Sequence, residues 1–280
     1  MAIVTFYSKE EKETGQTLSA AALATYLAIE HNRKILLVST NFRDDTLEAC
    51  FWNLRKEQNA MASIVGKKNE IGVESGIEGL IKMMGSNKIS PEIIRNYTRI
   101  VFRDRLDVLF SPTTKIYEDY CKIANQYIEI LKNADRYYDI IIVDLSKKMD
   151  KQTAQNILEN STVVVLNFTQ KMKCIEEVRK LRTEDEFFKG DNILLNIGRY
   201  DTFSKYSNKN VTRELREKKP LLVVPYNTLF FEAAAEGDVV EYFLRFRKME
   251  ATDRNAVFIG EIKKMTDRLV FKLQELRMKM

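Results

Sequence analysis

From Ser8 to Thr17 the chain reads SKEEKETGQT, a polar loop that runs into an Ala-rich helical stretch, Leu18 to Ile29. The chemistry open to such a loop is phosphate binding. A loop that cradles a nucleoside triphosphate reads G-x-x-x-x-G-K-[ST]. Its backbone N–H groups surround the phosphates, its Lys reaches the β/γ-phosphates and its hydroxyl holds Mg2+. Here Gly15 and Thr17 are present, but Gln16 stands where the Lys belongs, and Lys9 and Lys12 are the nearby cations that could substitute for it. Lys12, Thr14, Gly15, Gln16, Thr17 and Leu18 are the candidate phosphate contacts, with Thr17 also a candidate Mg2+ ligand. Helix N-terminal amides can hold phosphate without the Lys. The plainer alternative makes Gly15 a turn residue entering the helix and Thr17 its N-cap.

The elements that must position this loop are legible as apolar runs. Ile3 to Tyr7 precedes it and Ile35 to Val38 follows the helix; Leu106 to Phe110, Ile140 to Val143, Thr162 to Asn167, Asn192 to Ile197 and Leu221 to Val224 continue the series. All are rich in Val, Ile and Leu, as strands buried on both faces of a parallel sheet should be. Helical stretches lie between them at Tyr117 to Ala134, Lys151 to Asn160, Cys174 to Leu181 and Phe230 to Val240. The alternation predicts an α/β fold: a mostly parallel sheet of about seven strands with helices on both faces, in three layers. Ligands of such sheets sit beyond the carboxyl ends of the strands, so the Ser8 to Thr17 loop and Asp144, which ends DIIIVD, should share one rim. Segment 45–105 is less regular, with four Gly between Ile71 and Gly85, and reads as helical insertions with loops in a single domain spanning 1–280.

Composition narrows the function classes. Hydrophobic residues are 45% and charged residues 30%, and 45 Lys+Arg against 40 Asp+Glu leave a net charge of +5, a small excess that does not by itself imply nucleic acid. Cys50, Cys121 and Cys174 stand far apart and His31 is the one histidine, so neither a zinc site nor a Ser-His-Asp triad assembles. No run approaches the ~18–20 apolar residues that span a bilayer, and no signal-peptide shape opens the chain. The expected location is the cytoplasm, with peripheral contact at the inner membrane face as an option.

The order of these motifs resembles the ParA/MinD family of deviant-Walker P-loop ATPases, which opens with an apolar strand and K-G-G-x-G-K-[ST]. The helix and strand of SAAALATYLAIEHNRKILLV, RYYDIIIVDLS ending at a Walker B Asp144, NILENSTVVVLNFTQ, NILLNIGRY with Asn196, and LLVVPYNTLFFEAAAEGDVV with Pro225 follow the family's order over nearly the whole chain. The resemblance implies a P-loop NTPase-like fold, ATP or ADP with Mg2+ as ligand, Thr17 and Asp144 at the metal, and Asn196 and Pro225 at the adenine. It also implies a homodimer and a protein assembly partner. Within the family, SGIEGLIKMM and LDVLFSPTT look closest to TadZ/CpaE-type pilus-assembly proteins.

The departures concern catalysis. Anchored on Thr17, the family's second signature Lys falls at Glu11, and its D-x-D after the second strand falls on Ser39-Thr40-Asn41. Phosphoryl transfer depends on positioning and charge neutralisation, so loss of the Lys and both carboxylates removes most of the machinery, and no catalytic residue is assigned. Glu10, Glu11 and Glu13 add repulsion. The sequence therefore reads as a degenerate scaffold or spatial organiser with weak or absent hydrolysis. A slow ATPase rescued by Lys9 or Lys12 is one alternative, and a DNA-partition protein using Arg179-Lys180-Arg182 or Arg245-Arg247-Lys248 is another. From Arg254 to Met280 an apolar spacing faces basic residues, which fits either the last helix of the fold or an amphipathic membrane contact. Packing is the favoured reading up to Leu269, and the two readings stand level for the last ten residues. Phe51, Trp52, Leu54, Met61 and Ile64 could form an ATP-independent dimer surface, although core packing suits Phe51, Leu54 and Met61 better.

Overall fold

All seven expected runs form strands of one sheet in the computed structural model, which describes residues 2–10, 13–53, 76–85, 91–249 and 253–279. The strands are β1 (Ile3–Tyr7), β2 (Ile35–Ser39), β3 (Arg99–Phe102), β4 (Leu106–Leu109), β5 (Ile140–Asp144), β6 (Val163–Phe168), β7 (Ile193–Tyr200) and β8 (Leu222–Pro225). They lie in the order β3-β4-β2-β5-β1-β6-β7-β8. Every pairing is parallel except β3 with β4. The sheet thus has one strand more than expected. Arg99–Phe102 is a solvent-facing edge strand with Ile100 47% exposed and a register shift against β4, so it lacks the doubly buried apolar signature of the others.

Two helices expected as continuous are broken. Tyr117 to Ala134 divides into Tyr117–Ala124 and Tyr127–Ala134. Gly237, at φ 88, ends Thr228–Glu236 and starts Val239–Phe246 in a new direction. A Cβ at Gly237 would lie 2.7 Å from the Trp52 carbonyl carbon, so the bend also needs the missing side chain. In the 45–105 segment the described parts include helices Thr46–Ala49 and Ile77–Met84 and a 3-10 turn at Pro91–Tyr97.

Strand residues alternate between two cores, as the two-residue period of a strand requires. Val4, Phe6, Ile35, Leu37, Ile142 and Val165 face a layer built by the central helix α1 (Gln16–Glu30), Val239–Phe246 and Arg254–Lys279. Ile3, Leu36, Val38, Ile141, Val143 and Leu166 face the opposite layer, which includes Tyr117–Ala124, Tyr127–Ala134, Lys151–Glu159 and Met172–Glu184. Ala20, Ala21, Ala22 and Ala24 are fully buried, and their small side chains let α1 lie close to the sheet.

The C-terminal apolar spacing is spent inside the molecule. Phe258, Ile262, Met265, Leu269 and Leu273 are all buried in the α1-side core, while Phe271 and Met278 are exposed. No helix among the described residues is long and apolar enough to cross a membrane. Phe51 is likewise buried, and Trp52 is half-buried against the same core; Leu54, Met61 and Ile64 lie outside the described residues.

Candidate functional site

The loop after β1 is shaped by two left-handed residues, Glu13 at φ 64 and Gly15 at φ 70. Gly15 is the N-cap of α1, and a Cβ there would also press at 3.0 Å on the Arg199 side chain. Glu13 bears the cost of a conformation that residues other than glycine rarely adopt. Strand β7 fastens the loop from beneath. A Cβ on Gly198 would sit 2.0 Å from the Thr14 carbonyl oxygen, so only glycine allows this approach. Asn167 Nδ2 donates to the same carbonyl at 3.1 Å, and the β6–β7 register sets Asn167 beside Asn196, whose Nδ2 donates to Asn167 Oδ1 at 2.6 Å.

At the rim, β1, β2 and β5 end together: Phe6 and Ser39 are both in register with Asp144. Asp144 is fully buried, and its carboxylate is held by three neutral donors. Gln16 Nε2 donates to Oδ1 at 2.6 Å, Thr17 Oγ1 to Oδ2 at 2.8 Å and Asn41 Nδ2 to Oδ2 at 3.0 Å. Gln16 Nε2 also donates to the Leu145 carbonyl at 3.0 Å, while Gln16 Oε1 is buried without a partner. Thr40 Oγ1 donates to the Asp144 carbonyl and accepts from Ser146 N–H, stitching β2 to β5. Burial raises the Asp144 pKa above the usual carboxylate range, the Gln16, Thr17 and Asn41 hydrogen bonds pull it down, and the charge of Asp44 adds to the rise.

A cavity of about 410 Å³ opens beside this network. Its lining includes the loop residues Glu13 to Leu18 with Asn41, Asp44, Ser146, Lys147 and Lys148, and also the apolar and aromatic residues Val224, Pro225, Tyr226, Phe230, Phe231 and Phe258, together with Arg199. The Arg199 guanidinium lies 5.6 Å from the Tyr226 ring centre. Lys148 Nζ donates to the Phe42 carbonyl at 2.9 Å. A mixed lining of this kind suits a flat ring carrying a charged tail.

Thr14, Gly15, Gln16, Thr17, Leu18 and Pro225 therefore meet at one cavity, with Asp144 directly behind it. Asn196 does not join them. It is fully buried under the loop, pairs with Asn167 and does not line the cavity, because the β6–β7 register turns it toward its neighbour strand. Lys9 is exposed and outside the lining, and Lys12 and Glu11 lie outside the described residues. Glu10 turns away to accept from Thr169, leaving Glu13 and Asp44 as the carboxylates of the lining. Sequence reasoning missed Arg199, Lys147, Lys148 and Asp44. Arg199 follows Gly198 in NIGRY, and that glycine, once explained by contact with the loop, is the signal that would have found it.

A mostly parallel sheet, a glycine-hinged loop entering a central helix and a strand-end carboxylate beside that helix define a three-layer P-loop NTPase fold of the ParA/MinD type. A ParA family ATPase from Chlorobium tepidum TLS superposes with a TM-score of 0.69 at 16% identity, covering 96% of this chain and 98% of that one. MinD from Pyrococcus horikoshii OT3, complexed with Mg-ADP, gives 0.65 at 17% identity over 97% and 98%. A plasmid partition protein from Borrelia burgdorferi B31 bound to AMPPNP gives 0.62 at 17% over 99% and 98%. At these identities the likeness is one of fold. No family model matches the sequence, and no curated protein does.

Whether Mg2+ with a triphosphate fits is decided by the donor set. Mg2+ demands near-ideal octahedral oxygen ligation. Both Asp144 oxygens and the Thr17 hydroxyl are already joined to one another or to amides, and Asn41 contributes its N–H2 side to Asp144. Among the described residues no cluster of His, Cys, Asp and Glu could hold a metal ion. A Mg2+ held mainly by substrate phosphates and water needs no such cluster; the Thr17 hydroxyl, which keeps its oxygen lone pairs while donating to Asp144, and the Asp144 carboxylate are the two protein groups that would hold it.

Proposed function

We propose that this protein is a degenerate ParA/MinD-type ATPase that acts as a scaffold or spatial organiser and does not turn over ATP at a useful rate. The observation that carries the reading is the Gln16 side chain, which gives its N–H2 to Asp144 and the Leu145 carbonyl rather than a positive charge to a phosphate. Phosphoryl transfer runs on positioned charge, and here an amide satisfies the carboxylate in the place where a cation would act. Asn41 repeats the substitution on the facing strand. The cavity retains a lining suited to a nucleotide, since the amides of Gln16, Thr17 and Leu18 belong to the first turn of α1 and have no partner within the helix.

In this reading the protein works through protein contacts, as a homodimer with an assembly partner, and the likeness to TadZ/CpaE-type proteins makes pilus assembly the setting we favour. DNA partition draws less support. Arg179 pairs with Glu214 at 3.0 Å, Arg182 with Glu217 at 2.9 Å and Arg247 with Glu30 at 3.6 Å, so much of the candidate basic surface is neutralised within the chain. The test is phosphate release from Mg-ATP by purified protein. Turnover at background supports the scaffold, far below the ~1–100 s⁻¹ typical of kinases. Appreciable turnover that vanishes in Lys12→Ala would establish the slow-ATPase alternative instead.

A further inference from the structure

The loop between β7 and the helix Asn208–Glu214 is pinned in place and presents one aromatic ring to solvent. Gln170, just after β6, holds both of its ends. Its Nε2 donates to the carbonyls of Asp201 at 3.1 Å and Tyr206 at 2.8 Å, and its Oε1 accepts from Asp201 N–H at 2.7 Å. Asp201 Oδ1 accepts from Phe203 N–H at 2.9 Å, and Asn210 Nδ2 donates to the Lys205 carbonyl at 2.9 Å. On this frame Phe203 stands 90% exposed, the most exposed large apolar side chain among the described residues. The chain from there carries six exposed cations, Lys205, Lys209, Arg213, Arg216, Lys218 and Lys219. The acids between them, Glu214 and Glu217, are spent on Arg179 and Arg182 of Met172–Glu184. None of the six cations enters an ion pair among the described residues. Lys209 and Arg213 lie one turn apart, on the helix face away from the buried Val211.

We infer that loop 201–207 and the helix Asn208–Glu214 form a docking surface for an acidic segment of a partner protein, with Phe203 as its apolar anchor. The inference rests on the scaffold reading, whose assembly partner it describes by its chemistry. Charge complementarity selects an acidic occupant, because the cations here have no counter-charge from their own chain. Aromatic anchors ringed by polar contacts carry most of the energy of protein interfaces. A loop already held by Gln170 and Asp201 gives up little conformational freedom when it docks. Two other anionic partners suit the surface less well. On a bilayer even one myristoyl chain gives only marginal binding, and a single benzyl ring buries far less. Duplex DNA is held through its phosphates, which need no ring, and single strands lie on a series of stacking rings rather than one.

A random-peptide display library panned on the full chain tests this. The enriched peptides should share a net negative charge and large apolar residues. Once synthesised, they should bind the chain in fluorescence anisotropy and weaken as salt rises. Phe203→Ala, a change at an exposed ring that leaves the core intact, should weaken them about tenfold or more. Lys209→Gln combined with Arg213→Gln should weaken them about tenfold, with the circular dichroism of the native fold kept in both variants. No enrichment, enriched peptides without acidic residues, or equal binding to Phe203→Ala would overturn the inference. It would also fall if vesicles of phosphatidylcholine and phosphatidylglycerol at three to one, or a DNA duplex, bound the native chain and lost that binding in Phe203→Ala. Self-association of the chain that is lost in Phe203→Ala would make a second copy the occupant and overturn it as well. ATP turnover at background would leave the scaffold reading standing whichever way the peptides behave.

Discussion

Replacing Gln16 with leucine isolates what the amide does for Asp144. The two side chains have similar volume, so the change removes hydrogen bonds with little change in packing. Lost are one bond to a buried carboxylate, at 2.6 Å, and one to the Leu145 carbonyl, at 3.0 Å. These are worth about 1.5–3 and about 0.5–1.5 kcal/mol respectively. Regained is the penalty of Gln16 Oε1, buried with no donor, at about 1–3 kcal/mol. The balance is a destabilisation of about 1–2 kcal/mol at neutral pH.

The pH dependence separates this from a simple packing defect. Burial holds the Asp144 pKa above its ordinary value, so the folded chain binds that proton more tightly than the unfolded chain. Stability conferred by the protonated form is therefore full at low pH and is lost as pH rises through the folded pKa. Gln16 is the leading influence opposing that rise, so Gln16→Leu lifts the folded pKa further and enlarges the loss at neutral pH. The gap between variant and native chain should shrink as the solution is acidified through the two folded pKa values. Urea midpoints measured at neutral and at mildly acidic pH give both numbers. A variant as stable as the native chain at neutral pH, or a gap that widens on acidification, would show that Gln16 is not what satisfies Asp144.

Other substitutions probe the same rim. Lysine at position 16 should strengthen triphosphate binding more than turnover, because Ser39 and Asn41 still supply no carboxylates; paired titration and phosphate-release assays read both. Glu13→Gly should tighten anion binding by removing a lining carboxylate, and the relieved φ of 64 should offset the flexibility that glycine adds, leaving stability within about 1 kcal/mol of native. Gly198→Ala should distort the loop, since its Cβ would lie 2.0 Å from the Thr14 oxygen, and both thermal stability and ligand affinity should fall. Glu48→Gln should be neutral or stabilising at neutral pH. Burial raises the pKa of Glu48, so its ionised form costs stability above that pKa, and the amide oxygen can still accept from Ser111 N–H. Light scattering should show no ATP-driven change from monomer to dimer.

The sheet was readable because its strands are buried on both faces, and runs such as IIIV and VVVL have no other comfortable setting in a folded chain. The edge strand Arg99–Phe102 was not, since half of its residues face solvent and its pairing depends on a neighbour rather than on its own pattern. The loop Gly15-Gln16-Thr17 announced its place through glycine and hydroxyl spacing, yet its partners came from afar in sequence. Arg199 reaches Gly15 only because Gly198 lets β7 touch the loop, and Asn41 reaches Asp144 only through the β2–β5 register. Asn196 shows the limit of motif order: its position in the strand was right, and the register of its neighbour turned it from the cavity into a buried amide pair.

Gln16 and Asn41 are best understood together. Each stands where the ParA/MinD pattern carries a charge, and each now ends in an amide that donates to the same carboxylate from opposite sides. A single neutral substitution at such a rim would leave Asp144 as a buried anion short of donors, a state that costs several kcal/mol. With both amides and Thr17 in place the carboxylate has three donors from within the chain, and the loop, β2 and β5 are tied into one rim by their own side chains. In the degenerate reading proposed above, this network is how the fold keeps its strand-end aspartate without a lysine at position 16, beside a cavity that runs along Gln16 and Thr17 to Arg199 and Tyr226.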